Sequence, residues 1–174
     1  MSFQRLVALC AILFASLLPR PASAVSHFEQ PRYAAILVDA ASGEILYSRQ
    51  ADAERFPASI TKVMTLYIVF ERLASGQLRH DELITMSARA AAQRPSKLGL
   101  RAGETLTVDQ AIRSLATKSA NDVAVALAEH VGGSEARFAQ LMTHRARALG
   151  MERSRFVNAS GLPDSRQVTT ARDI

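Results

Sequence analysis

The stretch PASITKVMT, residues 57–65, places a serine three positions before a lysine and leads into an apolar run that extends to about Leu73. Serine is common at the N-cap position of helices, so one interpretation is that Ser59 caps a helix over residues 59–73. Because this run is apolar nearly all round, the sequence predicts that the helix is central and buried.

A second interpretation of the same stretch is chemical. Ser59 and Lys62 stand at i and i+3, which places them on one face of a helix. A helix N-terminus disfavours a protonated lysine, and apolar surroundings lower the pKa of a lysine further. A neutral Lys62 could then accept the proton of Ser59, and backbone N–H groups of the first turn could stabilise an oxyanion. Ser59 would be a nucleophile that needs no histidine.

The Ser-x-x-Lys pattern is weak by itself, since roughly 0.3 chance matches are expected in a chain of this composition. A second stretch, KSAND at residues 118–122, strengthens it by placing Ser119 and Asn121 in a predicted interhelical loop. The alternative is that Asn121 caps the following helix and Ser119 only fills the loop. The residues alone leave both interpretations open.

The first 24 residues have the pattern of a secretory signal peptide. Arg5 is followed by an apolar stretch over residues 6–18 and by the small residues Ala22-Ser23-Ala24, so cleavage is predicted after Ala24. The apolar stretch is too short to make a spanning helix the better interpretation. The single cysteine, Cys10, lies in this leader, which excludes disulfides and cysteine nucleophiles from the mature chain.

Charge and composition exclude further classes. The formal net charge of the 174 residues is +5, and the leader contains two arginines and no acidic residue. The positive charge that remains in residues 25–174 is modest and forms no basic block, so no nucleic-acid partner is predicted. Histidines and carboxylates do not cluster, so no metal site is predicted. Residues 25–174 suffice for about one domain.

The rest of the chain predicts two strands followed by helices. Residues 33–39 and 44–50 flank a turn with Gly43 and predict a β-hairpin, and residues 83–87 predict a short strand. A helix is predicted from Thr107, where Thr107 and Gln110 have the spacing of a capping box, to about Thr117. Further helices are predicted from Asn121 to Gly132 and from Ser134 to Gly150. An isolated hairpin is marginally stable, so we expect further strands from downstream sequence to complete the sheet.

At its two motifs the sequence resembles a known family. Ser-x-x-Lys followed by a Ser-x-Asn motif is typical of penicillin-binding proteins and class A β-lactamases. The chain is most similar to the D-alanyl-D-alanine carboxypeptidases, the serine peptidases of family S11 among the low-molecular-mass penicillin-binding proteins. The resemblance covers nearly all of residues 33–174, including the stretches PSKLGLRAGETLTVDQAI, SANDVAVALAEHVGG and FVNASGLPDSRQVTTARD.

The resemblance implies an α+β fold of the β-lactamase/transpeptidase type. An antiparallel sheet would pack on a helical subdomain, and the C-terminal strands would be lacking here. Residues 25–174 would then be the N-terminal part of the carboxypeptidase domain.

The resemblance also implies a role for each residue of the two motifs. Ser59 resembles the nucleophile, Lys62 its general base, Ser119 the serine that relays a proton to the leaving amine, and Asn121 the residue that binds the substrate amide. Ser-Ala-Asn in place of Ser-Asp-Asn favours the carboxypeptidases over class A β-lactamases. No cofactor is implied.

The implied substrate is a peptidoglycan pentapeptide, and β-lactam antibiotics would be inhibitors. The implied location is the periplasm, with peripheral attachment to the inner membrane through sequence beyond Ile174.

One part of the family pattern is missing. The third motif, Lys-Thr-Gly on an edge strand, should follow the other two, yet no lysine follows Asn121. Lys97-Leu98-Gly99 precedes Asn121 and lacks strand character. A helix start at residues 170–173 has no helix behind it, so the sequence predicts a chain that is cut short. The alternative function is therefore an inactive relative that binds peptidoglycan or a partner.

Overall fold

The computed structural model describes residues 32–174, so the predicted signal peptide, residues 1–24, lies outside the described residues. The strands are β1 (Ala35–Val38), β2 (Ile45–Arg49), β3 (Leu83–Thr85) and β4 (Thr105–Thr107). The helices are α1 (Thr61–Ala74), α2 (Ala88–Ala91), α3 (Val108–Lys118), α4 (Asn121–Gly132) and α5 (Glu135–Ala148). The predicted α+β class is confirmed, and Ala34–Ile174 form one compact unit.

The predicted hairpin is confirmed as the antiparallel pair β1–β2. Its turn is closed by Asp39, whose carboxylate accepts the backbone N–H groups of Ala41 and Ser42 at 3.1 and 2.7 Å. Gly43 completes the turn with φ of +75°, a conformation that glycine adopts without strain. Several apolar side chains of the two strands are exposed, namely Leu37, Val38, Ile45, Leu46 and Tyr47.

A second antiparallel pair, β3–β4, joins Leu83 to Thr107 and Thr85 to Thr105. The strand predicted at residues 83–87 is therefore confirmed over a shorter span. Thr107 ends β4 and also caps α3, where its side chain and that of Gln110 form the predicted capping box. Because β4 is only three residues long and runs directly into this cap, periodicity gave no sign of it.

The central helix is α4, so the prediction that the helix after Ser59 is central and buried is wrong. Residues 121–128 of α4 are all buried, and α4 contacts all four other helices and β3. Its alanines and valines are small enough for neighbours to approach from every side. In α1, by contrast, Ile68 and Val69 are buried while Val63 and Phe70 are 63% and 49% exposed.

The remaining helix ends agree with the sequence. Ser134 caps α5 by accepting the backbone N–H of Arg137, and Gly133, with φ of +72°, is the C-cap residue of α4. At residues 170–173 a turn forms, in which the Thr170 hydroxyl accepts the backbone N–H of Asp173 at 3.0 Å. No helix within residues 32–174 is long and apolar enough to cross a bilayer.

Candidate active site

Ser59 lies in a short 3-10 helix, Ala58–Ile60, immediately before α1. The predicted capping role is wrong, because Pro57 occupies the cap position of this turn and Ile60 that of α1, and neither cap has a side-chain hydrogen bond. The Ser59 side chain is instead exposed to solvent. The chain enters the turn through Ala58, whose φ of +47° is unusual for a residue with a Cβ.

Lys62 lies one helical turn further on and is buried, with 4% of its surface exposed. Its Nζ donates hydrogen bonds to Oδ1 of Asn121 at 2.8 Å and to the Ser160 carbonyl at 2.5 Å. Burial lowers the pKa of Lys62 from 10.5 to about 8, in the direction that the sequence predicted. An ammonium group has three N–H donors, so two bonds leave one for a further acceptor.

Asn121 lies 59 positions after Lys62 in the sequence, and hydrogen bonds hold both its side chain and its backbone. Its Nδ2 donates to the Arg94 carbonyl at 2.9 Å, and its backbone N–H donates to the Ser96 carbonyl at 2.7 Å. The suggestion that Asn121 caps α4 is wrong, because Ala120 is the cap residue and Asn121 is the first helical residue. The Asn121 side chain is therefore committed to the site, and Oδ1 is oriented towards Lys62.

Ser119 is the C-cap residue of α3 and lies two residues before Asn121. It is half-buried and adopts a left-handed conformation, with φ of +54° and ψ of 40°. Such a conformation costs a residue with a Cβ roughly 1–2 kcal/mol, and strain of this kind is concentrated at functional sites. The proton-relay role of Ser119 stays a prediction.

Asp122 supports this region, although no sequence pattern pointed to it. Its buried carboxylate accepts backbone N–H groups from Leu98, Gly99 and Val123, at 2.9, 2.8 and 2.9 Å. It thereby fixes the loop beside Ser119 and Asn121. The prediction that residues 97–99 are not a strand is confirmed.

Besides Asn121, the amine of Lys62 is contacted by an irregular segment, residues 156–161, which we call the 156–161 loop. This loop contributes the Ser160 carbonyl. Its Ala159 is held on both sides: the carbonyl accepts the Thr65 hydroxyl at 2.8 Å, and the N–H donates to the Glu135 carboxylate at 3.2 Å. The sequence of this segment indicates only turn-forming residues. The carbonyl contact of Ser160 joins residues 98 positions apart, and no local pattern encodes such a contact.

The 156–161 loop also touches the turn that bears Ser59, through Gly161. A Cβ on Gly161 would lie 1.8 Å from the carbonyl oxygen of Ala58, and φ at Gly161 is +84°. We therefore expect Gly161→Ala to destabilise the fold by about 3 kcal/mol or more, because the loop and the turn must move apart. The melting temperature would fall by roughly 10 °C.

Thermal unfolding followed by circular dichroism measures this effect, and Gly76→Ala is the matched control. Gly76 also has a positive φ, +71°, but nothing lies within 4 Å of the position that its Cβ would take. The control should lose only the conformational term, about 1–2 kcal/mol. Equal melting temperatures for the two variants would contradict the close approach at Gly161.

Neither His130 nor His144 is part of this arrangement. The Nε2 atom of His130 lies 2.7 Å from a carboxylate oxygen of Glu82, and His144 is an exposed residue of α5. Within residues 32–174, histidine, cysteine and carboxylate side chains form no group of three that could hold a metal ion.

Comparison with known proteins identifies the family of this chain. A sequence model described as Peptidase_S11, D-alanyl-D-alanine carboxypeptidase, matches residues 22–174. D-alanyl-D-alanine carboxypeptidase DacF of Bacillus subtilis is 33% identical over 140 residues, which are 80% of this chain and 36% of that protein. The chain therefore spans about a third of the length of this relative.

Solved structures show the same fold. The D-alanyl-D-alanine carboxypeptidase DacD of Francisella tularensis is 38% identical with a TM-score of 0.80, covering 83% of this chain and 35% of that one. Penicillin-binding protein D2 of Listeria monocytogenes, solved in its ampicillin-bound form, is 32% identical with a TM-score of 0.66. It covers 80% of this chain and 57% of that one.

Proposed function

Because this chain belongs to the D-alanyl-D-alanine carboxypeptidase family, peptidase family S11, we propose that it contributes the nucleophile and base of a serine-type carboxypeptidase. The substrate would be the stem pentapeptide of peptidoglycan, from which the terminal D-alanine is removed. The observation that supports this most directly is the buried amine of Lys62, held between Asn121 and Ser160 one helical turn after the exposed Ser59.

The proposed reaction has two covalent steps. Lys62, as the neutral amine, takes the proton of Ser59 while the Ser59 oxygen attacks the carbonyl carbon of the penultimate D-alanine. The peptide C–N bond then breaks, Ser119 donates its proton to the leaving amine and recovers one from the Lys62 ammonium, and the terminal D-alanine departs. Water next attacks the ester on Ser59 and gives a proton to Lys62, which passes it to the Ser59 oxygen as the shortened peptide is released.

Asn121 has two tasks in this proposal. Its Oδ1 positions the amine of Lys62, and its side-chain amide would bind the amide of the substrate, as the resemblance to the family implies. A β-lactam would acylate Ser59 by the same attack, with opening of its ring. The ampicillin-bound form of the Listeria relative supports this extension.

An alternative function is binding of peptidoglycan without turnover. The observation that favours it is that no lysine follows Asn121, so a Lys-Thr-Gly motif is not among the 174 residues. Incubation of the chain with a fluorescent penicillin separates the two functions. The proposal expects a covalent adduct on Ser59 with the full mass of the penicillin, because ring opening loses no atoms. A folded chain that acquires no adduct would support the alternative.

The pH dependence of acylation tests the role of Lys62. Only the neutral amine accepts a proton, and the pKa of Lys62 is about 8, so the rate should rise with pH through a midpoint near 8. Below the midpoint it should fall roughly tenfold per pH unit. The measurement is the labelling rate between pH 6 and pH 9.5, with circular dichroism at each pH to confirm folding. A rate that does not change with pH would contradict Lys62 as the base.

We also propose that the protein is exported to the periplasm and that its signal peptide is removed after Ala24. The leader sequence supports this proposal, through Arg5, its apolar stretch and its small-residue cleavage site. N-terminal sequencing of the protein recovered from the periplasm is expected to begin at Val25. Recovery of the uncleaved chain from the cytoplasm would contradict it.

A further inference from the structure

Gln167 is a buried polar residue outside both motifs, with 2% of its surface exposed. All parts of its amide are used. Its Oε1 accepts the backbone N–H groups of Val157 and Asn158 at 2.9 and 3.1 Å. Its Nε2 donates to Oγ1 of Thr61 at 3.3 Å and to Oδ1 of Asn158 at 3.4 Å. One side chain thus joins the 156–161 loop to the residue that directly precedes Lys62.

Asn158 extends this connection along the loop. Its Oδ1 accepts the backbone N–H groups of Ser160 and Gly161 at 3.2 and 2.7 Å, and its Nδ2 donates to the Leu162 carbonyl at 3.0 Å. These bonds set the direction of the peptide at Ser160, whose carbonyl accepts the Lys62 amine. The path from Gln167 to Lys62 therefore runs through two hydrogen-bonded steps, Asn158 and Ser160.

The loop has a second set of anchors at Ala159, which is held by Thr65 and Glu135. These anchors do not involve Gln167. Loss of the Gln167 amide should therefore loosen the part of the loop that faces Lys62 without detaching the whole loop. This separation distinguishes a positioning role from a purely structural one.

We infer that Gln167 is a positioning residue for Lys62, because it holds the 156–161 loop closed over the amine and aims the Ser160 carbonyl at Nζ. The closed loop excludes water from the amine and fixes its direction. Gln167 does not touch the reacting atoms, and it acts through Asn158 and Ser160. The consequence for catalysis rests on the proposed function, but the effect on the ionisation of Lys62 does not.

The test is Gln167→Met, which keeps much of the side-chain volume and removes every hydrogen bond of the amide. The chain contains only three lysines, Lys62, Lys97 and Lys118, so carbon-13 labelling of the lysine side chains gives three NMR signals to titrate. Lys62→Arg identifies the signal of interest. With the loop loosened, water should reach the amine, and the pKa of Lys62 should rise by about one unit or more.

Acylation by the fluorescent penicillin should slow about tenfold at pH 7.5, and the midpoint of the pH–rate profile should rise together with the NMR value. Gln110→Met is the matched control, since it removes the capping box of α3. It should lower the melting temperature but leave the titration of Lys62 and the pH profile unchanged. A purely structural role of Gln167 predicts that Gln167→Met behaves like this control.

A folded Gln167→Met variant with an unchanged pKa at Lys62 would overturn the inference. If that variant does not fold, Asn158→Ala tests the same path, because it removes the bonds to Ser160 and Gly161 while Gln167 still holds Val157. Its Lys62 should also titrate at higher pH, and an unchanged titration would again count against the inference. Absence of labelling in the unsubstituted chain would reject the proposed function alone, since the NMR comparison does not depend on acylation.

Discussion

Ser59→Ala is expected to abolish covalent labelling by a fluorescent penicillin completely. Acylation needs an oxygen nucleophile to attack the β-lactam carbonyl, and alanine lacks the hydroxyl oxygen of Ser59. The effect should be chemical and not structural. Ser59 is exposed and serves in no cap, so the stability of the variant should stay within about 0.5 kcal/mol of the unsubstituted chain.

Gel fluorescence and intact mass after incubation measure the loss of labelling. Ser75→Ala is the matched control, because Ser75 is an exposed serine at the opposite end of α1. This variant should be labelled like the unsubstituted chain. Persistent labelling of Ser59→Ala, with the adduct mapped to another residue, would move the nucleophile elsewhere and refute its assignment to Ser59.

Lys62→Met is expected to slow acylation about a thousandfold, because the proposed general base is lost. The same change should stabilise the fold at pH 7. A lysine whose pKa is 10.5 when unfolded and about 8 when folded costs roughly 3 kcal/mol below pH 8, since the buried amine must carry a charge there. Loss of the bonds to Asn121 and Ser160 offsets about 2 kcal/mol of this gain.

The sign of the stability effect depends on pH. Between pH 8 and 10.5 the unfolded chain binds a proton at Lys62 that the folded chain does not bind, so the unsubstituted chain gains stability as the pH rises. The advantage of Lys62→Met should therefore be largest near pH 7 and should disappear or reverse by pH 10.5.

Thermal melts of both chains at pH 7 and pH 10 measure this difference. Lys118→Met removes an exposed lysine and should show no such dependence. The contrary result is that Lys62→Met and the unsubstituted chain differ in stability by the same amount at both pH values. That result would show that burial does not lower the pKa of Lys62.

Local features of the fold could be predicted because each depends on a few neighbouring residues. The turn of the hairpin needs Asp39 and Gly43 within five positions, and the capping box at Thr107 and Gln110 spans three. Local patterns did not predict correctly, however, which side chains are buried. The helix after Ser59 is apolar on every side, yet Val63 and Phe70 are exposed, and the central position belongs to α4.

The candidate site shows the same division. Ser59 and Lys62 could be identified as a pair because they are one helical turn apart, and Ser119 and Asn121 through their motif. The tasks of Asp122, Ser160 and Gln167 could not be read from the sequence. Each makes at least one contact with a segment that lies 23 positions or more away in the sequence. Their residue types are ordinary ones for loops and helix starts.

The sequence by itself determined which atoms are available for chemistry: a hydroxyl at Ser59, an amine one turn later, and an amide that follows in the second motif. Only the tertiary structure decided the state of that amine. Asn121 and the 156–161 loop close over Lys62 from 59 and 98 positions away. Burial by distant segments, and not the neighbouring residues alone, lowers its pKa to about 8.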